Sequence, residues 1–316
     1  VRAAPPLRPL GGVLALGLLA GCNAFVRPVP VPPERPAKFN HPAPSAESRA
    51  AHRYFAYVQD KLKSEGLMRT DGAPTTPADA PYTAADLATN FIHIALYDEY
   101  ATEKNGQMVA RQTPSRLRRW VAPVRMKLHF GPTIPETERI KDRRDVGAYA
   151  ARLGRVSGHP VALTTGASNF DIYVLNEDER RGFGPFLERH VPGITPEAVR
   201  TITDMPRTTY CLVFAFSKGD SAVYERAVAV IRGEHPDALR LLCYHEELAQ
   251  GLGLANDWPK ARPSIFNDDE EFALLTTQDE LMLKMLYDPR LSIGMTPTEA
   301  TPIVRRLAAQ LMPGDT

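Results

Sequence analysis

Apolar residues recur along this chain with two different periods, and the changes of period divide it. Between about Ser45 and Glu65, Ala51, Tyr54, Phe55, Val58 and Leu62 fall on one stripe at helical spacing, and Gly66 stands where helices commonly stop. Asp71 to Pro81 is rich in Pro, Thr and Asp and reads as a loop. Thr83 to Asp86 is a capping-box start for a second helix carrying Leu87, Phe91, Ile94 and Ala95. The period then shortens to two. Val124, Met126, Leu128 and Phe130 alternate with polar residues, as on a half-buried strand. A helix is expected from Arg144 to Val156. Phe170, Ile172 and Val174 alternate in a further strand, and Tyr210 to Phe216 reads as a continuous buried one.

Helices dominate the C-terminal third. One is expected from Asp237 to Gly251, just after Pro236. Thr277 to Glu280 caps the next, with Leu281, Met282, Met285 and Leu286 facing inward. Thr296, Pro297 and Glu299 start a third, with proline at its first position and a stripe of Ala300, Ile303, Val304 and Leu307. Few strands with helices before and after predict an α+β domain over residues 82–316, preceded by an N-terminal helix and loop at 46–81. No repeat, Gly-rich phosphate loop or Gly-x-Ser-x-Gly elbow is present in the sequence.

The first 45 residues obey other rules. Arg2 and Arg8 precede a short apolar run from Leu10 to Ala20, as in a secretory signal at residues 1–21. That run is about half the roughly 20 residues that span a bilayer. It closes on Leu19-Ala20-Gly21-Cys22, which resembles the lipobox of bacterial lipoproteins. The resemblance implies lipid attachment at Cys22, a membrane partner through that lipid, and a cell-envelope location facing the periplasm. Asn23 in place of aspartate favours the outer membrane. Seven prolines between residues 22 and 45 make a stiff, extended tether.

Composition narrows the class. Hydrophobic residues are 43% and charged residues 24% of the 316, which excludes global disorder and a polytopic membrane protein. Thirty-eight basic against 37 acidic residues give a net charge of +1, so no basic field is available for nucleic acid. With Cys22 assigned to lipid, Cys211 and Cys243 form an even pair. A disulfide is expected in an oxidising compartment, and two buried free thiols are the alternative.

The candidate chemistry lies between Cys243 and Asp257. His245-Glu246 lacks a second histidine four residues on, where Ala249 stands. Shifted by one, Glu246, Glu247, Gln250, Gly253 and Asn256 occupy the fixed positions of a signature, and the stretch resembles the metzincin pattern His-Glu-x-x-His-x-x-Gly-x-x-His/Asp. Residues 246 and 250 lie about 40° apart around a helix and can face one point. Gly253 lets the chain turn so that Asn256 or Asp257 returns to it. Ser264 to Asn267 resembles the metzincin Met-turn, with Phe266 at the methionine position. Leu275 to Asp279 with Leu286-Tyr287 resembles the closing helix, and Phe170 to Leu175 stands where a strand bordering the cleft is expected. The resemblance implies a metzincin-like domain with a small mixed sheet, a central active-site-type helix and C-terminal helices.

Thr83 to Ala308 also resembles an uncharacterised family of exported bacterial proteins, through Glu246-Glu247, Gln250, Leu252-Gly253-Leu254, Asn256-Asp257, Leu286 to Pro289 and Gly294-Met295. Every imidazole of the metzincin signature is replaced here by an oxygen donor, a poor exchange for zinc. Two readings stand side by side. In the first, the site has lost its metal and its polar groups bond one another, leaving a non-catalytic cleft for an envelope protein or peptide. In the second, a divalent metal is held by Glu246, Gln250 and Asn256 with His245 or Asp257 recruited, and Glu247 acts as the general base of a peptidase. Asp268 to Glu271 reads as a solvated acidic turn in preference to a Ca²⁺ site, and Arg116, Arg118, Arg119 and Trp120 as an exposed helix end in preference to a contact with phosphate or lipid head groups. His52, His93, His129, His159, His190 and His235 are scattered without ligand spacing.

Overall fold

A computed structural model describes residues 42–71, 80–102 and 108–314. The expected signal segment at 1–21, Cys22 and nearly all of the Pro-rich stretch lie outside the described residues. The chain opens with α1 (Ala46–Ser64), capped by Ser45 and ended before Gly66, whose φ is +79°. Then come α2 (Ala84–Ala95), the hairpin β1 (Tyr97–Thr102) and β2 (Met108–Pro114), the short β3 (Arg119–Trp120), β4 (Val124–Phe130) and α3 (Glu136–Ser157). They are succeeded by β5 (Val161–Leu163), β6 (Phe170–Leu175), three short helices α4 (Glu177–Arg181), α5 (Gly184–His190) and α6 (Pro196–Thr203), and the antiparallel pair β7 (Cys211–Ser217) and β8 (Val223–Arg232). Three helices finish the chain: α7 (Asp237–Gln250), α8 (Thr277–Leu286) and α9 (Pro297–Leu311). The fold is mixed α+β. Among the described residues, no helix is long and apolar enough to cross a membrane.

The larger sheet is mostly parallel. β4 pairs with β5 and β6, β6 with β8, and β3 with the start of β8, all parallel, while β7 alone runs antiparallel, on β8. Its two faces have separate cores. Ala227, Ala229 and Ile231 of β8 pack with Tyr149 of α3 and Leu248 of α7; Val228 and Val230 pack with Leu187 of α5 and Ile202 of α6. Burial on both faces explains why β8 is a nearly unbroken apolar run from Ala227 to Ile231. α1 lies against α4 and α7, so its stripe of Ala51, Phe55 and Leu62 is covered by Leu239 and Leu242.

Several expectations change. β8, the centre of the sheet, was not anticipated from the apolar pattern. β6 is buried at every position and interior to the sheet, whereas β7 is a half-buried edge strand; the two roles expected of them are exchanged. α3 begins at Glu136, eight residues before Arg144, because its first two turns are polar and show no stripe. α8 is capped by Thr276 with Asp279, one residue ahead of the expected pair. Residues 119–120 form a strand whose Trp120 is buried, not an exposed helix end.

Candidate functional site

α7 divides the candidate residues between two faces. His245 points into the core: its ring stacks on Tyr149 at 3.9 Å between centroids, and its Nδ1 accepts the Leu275 N–H at 2.9 Å. The Tyr149 hydroxyl donates to the His245 carbonyl at 2.6 Å, so α3 and α7 are joined at this residue. Burial, helped by the Arg152 charge, depresses the imidazole to about 3. Glu246, Glu247 and Gln250 lie on the other face and line a cleft.

The end of α7 is shaped by glycines. The Trp120 indole donates to the Gly251 carbonyl at 2.8 Å, and a Cβ on Gly251 would meet the Phe170 ring at 2.5 Å. Gly253 has φ +128°, and a Cβ there would lie 2.4 Å from the Arg118 carbonyl oxygen. Only glycine makes this turn without strain. Beyond it, Asn256 is drawn away from the cleft: its N–H donates to the Ile94 carbonyl at 3.1 Å and its side-chain amide to the His93 carbonyl at 2.7 Å. Asp257 does return, and accepts a bond from the Gln250 amide at 3.1 Å. Glu246, Glu247, Gln250 and Asp257 are therefore brought together, while Asn256 and His245 are not.

The cleft has a volume of about 510 Å³. β7, from Cys211 to Ala215, supplies one wall and the loop at 205–210 extends it; Asp268, Glu270 and Phe272 also line the cleft. Six lining residues are acidic: Asp98, Glu246, Glu247, Asp257, Asp268 and Glu270. The lining arginine, Arg118, binds Asp98 through two nitrogens at 2.6 and 3.1 Å. Burial, then the charges of Asp268 and Asp269, raises Glu270 to about 6. The acidic turn is thus partly folded into the cleft instead of wholly solvated, and nothing in its run of charges signalled this.

Two further devices hold the walls. Cys211 and Cys243 form the expected disulfide, with Cα atoms 5.8 Å apart, and so tie β7 to α7. Asp279 of α8 accepts bonds from Ser264 Oγ (2.6 Å), Ile265 N (3.2 Å), Thr276 N (2.8 Å) and Thr276 Oγ (2.9 Å), which fastens the turn at Ser264–Asn267. Burial nevertheless lifts Asp279 to about 6. Phe266 is fully buried beneath that turn.

The zinc that the metzincin resemblance implies does not fit this donor set. The cleft face of α7 offers carboxylate and amide oxygens, His245 faces α3, and the amide of Asn256 is spent on His93. Potential ligand atoms of Cys211, Glu246 and Glu247 lie within 4.8 Å of one another, but the Cys211 sulfur is consumed by the disulfide.

The buried His245 predicts an acid sensitivity. Its folded pKa lies below that of an unfolded histidine, so the unfolded chain takes up a proton first, between about pH 6.5 and pH 3. The stability it contributes is complete above pH 6.5 and lost as pH falls toward 3. Relative to the parent, His245→Gln is expected to lose less stability between pH 7 and pH 4, as measured by urea midpoints. Parallel losses would show that His245 is not held neutral.

An α+β frame with an acidic cleft between an edge strand and the end of a buried helix is the class these features define. The chain belongs to the family described as "Protein of unknown function (DUF2927)", whose model matches residues 84–306. No curated protein and no solved structure gives a significant match.

Proposed function

We propose that this is a lipid-anchored cell-envelope protein whose metzincin-like cleft holds an extended, basic segment of an envelope protein or peptide without cleaving it. The observation that carries this reading is the pairing of β7 with β8 alone among the described strands, beside a cleft lined by six carboxylates. An edge strand offers main-chain groups to which an extended segment can add, while side-chain charge selects which segment binds. Acidic lining favours lysine and arginine in that segment and speeds its approach.

The metzincin-like frame is supported by the order of parts along the chain: a mostly parallel sheet with one antiparallel strand beside the cleft, a helix, a glycine bend, a buried turn and a closing helix. Absence of catalysis is supported by the donor set on α7, which suits hydrogen bonding and charge better than zinc. The lipid anchor rests on Leu19 to Cys22 and the Pro-rich tether.

The test is fluorescence anisotropy with labelled extended peptides, Lys/Arg-rich against Glu-rich. Basic peptides are expected to bind, and more weakly as salt rises. Glu246→Lys with Asp257→Lys should lower their affinity by about tenfold or more, equivalent to at least about 1.4 kcal/mol. Equal binding of both peptide classes, or indifference to the charge reversal, would remove the proposal.

A further inference from the structure

We infer that the Cys211–Cys243 disulfide is the oxidised state of a divalent-metal site, in which the two reduced cysteines join Glu246 and Glu247 around one zinc-class ion. The ligand atoms of Cys211, Glu246 and Glu247 already lie within 4.8 Å of one another, and the Cys243 sulfur is bonded to that of Cys211. Cys243, Glu246 and Glu247 stand at i, i+3 and i+4 of α7, the spacing that puts three side chains on one helix face. Cys211 is the first residue of β7, directly across from them. Four donors therefore come from two elements that the disulfide already holds in place.

The chemistry changes with oxidation state. With the disulfide closed, this corner offers carboxylates alone; opening it adds two thiolates and makes a sulfur–oxygen set of the kind that zinc accepts. A tetrahedral zinc site has ligand atoms about 3.6 Å apart, from Zn–S and Zn–O lengths of about 2.0–2.3 Å. Once their bond is broken the two sulfurs must part while the carboxylate oxygens draw in by up to about an ångström, both by side-chain rotation. His235 stands behind the site with Nδ1 3.7 Å from the Cys243 sulfur, where it can orient the thiolate. Cys211 borders the cleft, which gives both reductant and ion a way in.

The conversion balances with a dithiol reductant. Its thiolate attacks one disulfide sulfur, a mixed disulfide forms, and the reductant leaves as its own disulfide. Two electrons and two protons pass to Cys211 and Cys243. Binding a divalent ion then expels those two protons to solvent, and the ion keeps its oxidation state.

The experiment uses the full chain carrying Cys22→Ser, so that its thiols are the pair in question. One sample is reduced with a thiol-free phosphine, the other left oxidised, and both are titrated with Co²⁺ and then Zn²⁺. The reduced protein is expected to bind one Co²⁺ with a thiolate-to-cobalt charge-transfer band that Zn²⁺ abolishes, and the oxidised protein to show no such band. Glu246→Gln with Glu247→Gln should weaken the reduced site by about tenfold or more. If reduction loosens the fold, the metal is expected to restore the far-ultraviolet circular dichroism. The inference is overturned by a folded, reduced chain without the band, by equal metal affinity in the oxidised chain, by indifference to the double glutamine variant, or by a loosened chain that metal fails to restore.

Discussion

Arg232→Met is expected to cost about 3–5 kcal/mol of folding stability, the usual loss when one member of a buried ion pair is removed. Arg232 is fully buried at the end of β8, and its Nη1 lies 2.7 Å from Glu177 Oε2. It also donates to three main-chain carbonyls: Thr209 at 3.1 Å, Met205 at 2.8 Å and Pro206 at 2.7 Å. Methionine fills much of the space but donates nothing, so three carbonyls and a buried carboxylate lose a partner. Arg180 still holds Glu177 at 2.8 Å, which keeps the loss from growing larger. Because Met205, Pro206 and Thr209 border the cleft, the wall should loosen along with the fold. Urea unfolding measures the first effect. Arg200→Met, which removes an exposed pair with Glu197, is the control and should change stability by less than about 1 kcal/mol. Equal effects in the two variants would mean that water replaces the lost donors of Arg232.

Removing the disulfide should cost nearly as much. Cys211 and Cys243 are 32 residues apart, and closing a loop of that length restricts the unfolded chain by an amount worth about 3–4 kcal/mol. Cys211→Ala with Cys243→Ala is expected to lower the urea midpoint accordingly and to raise the denaturant slope, because the unfolded chain expands once the cross-link is gone. The effect should centre on β7, whose antiparallel pairing to β8 would then be its main remaining attachment on the cleft side. A loss below about 1 kcal/mol would show that packing of β7 against α7 already restricts the chain as much as the cross-link does.

Legibility in the sequence tracked the range of the forces involved. Helix starts at Thr83 and Thr296 were readable because a cap is a contact between residues three apart, and both boxes are present as hydrogen bonds. The same short range set the limit at α8: Thr276 and Thr277 are both succeeded three residues later by a carboxylate, and burial of Asp279 chose the first. Strand character was readable at β4, β6 and β7, but the place of each in the sheet was not. Apolar content alone does not say whether a strand is flanked by two others or by one. β7 carries Leu212, Val213, Phe214 and Phe216, yet it lies at the edge and is only half buried. Its apolar residues are explained by Phe183 and Phe186, which cover one side of it from α5 and the residue before it.

The candidate site divides along the same line. By itself, the sequence determined that Glu246 and Gln250 share a helix face, that Gly253 turns the chain behind them, and that Cys211 and Cys243 are an even pair once Cys22 is set aside for lipid. Those properties come from helical geometry, backbone sterics and parity, all of them local or arithmetical. Tertiary structure alone decided that Asp257 reaches the cleft while Asn256 bonds to α2, that His245 serves the core, and that Asp268 and Glu270 join the acidic lining. Each of these depends on which distant segment arrives to accept a hydrogen bond or exclude water, and no spacing within one stretch of chain records that.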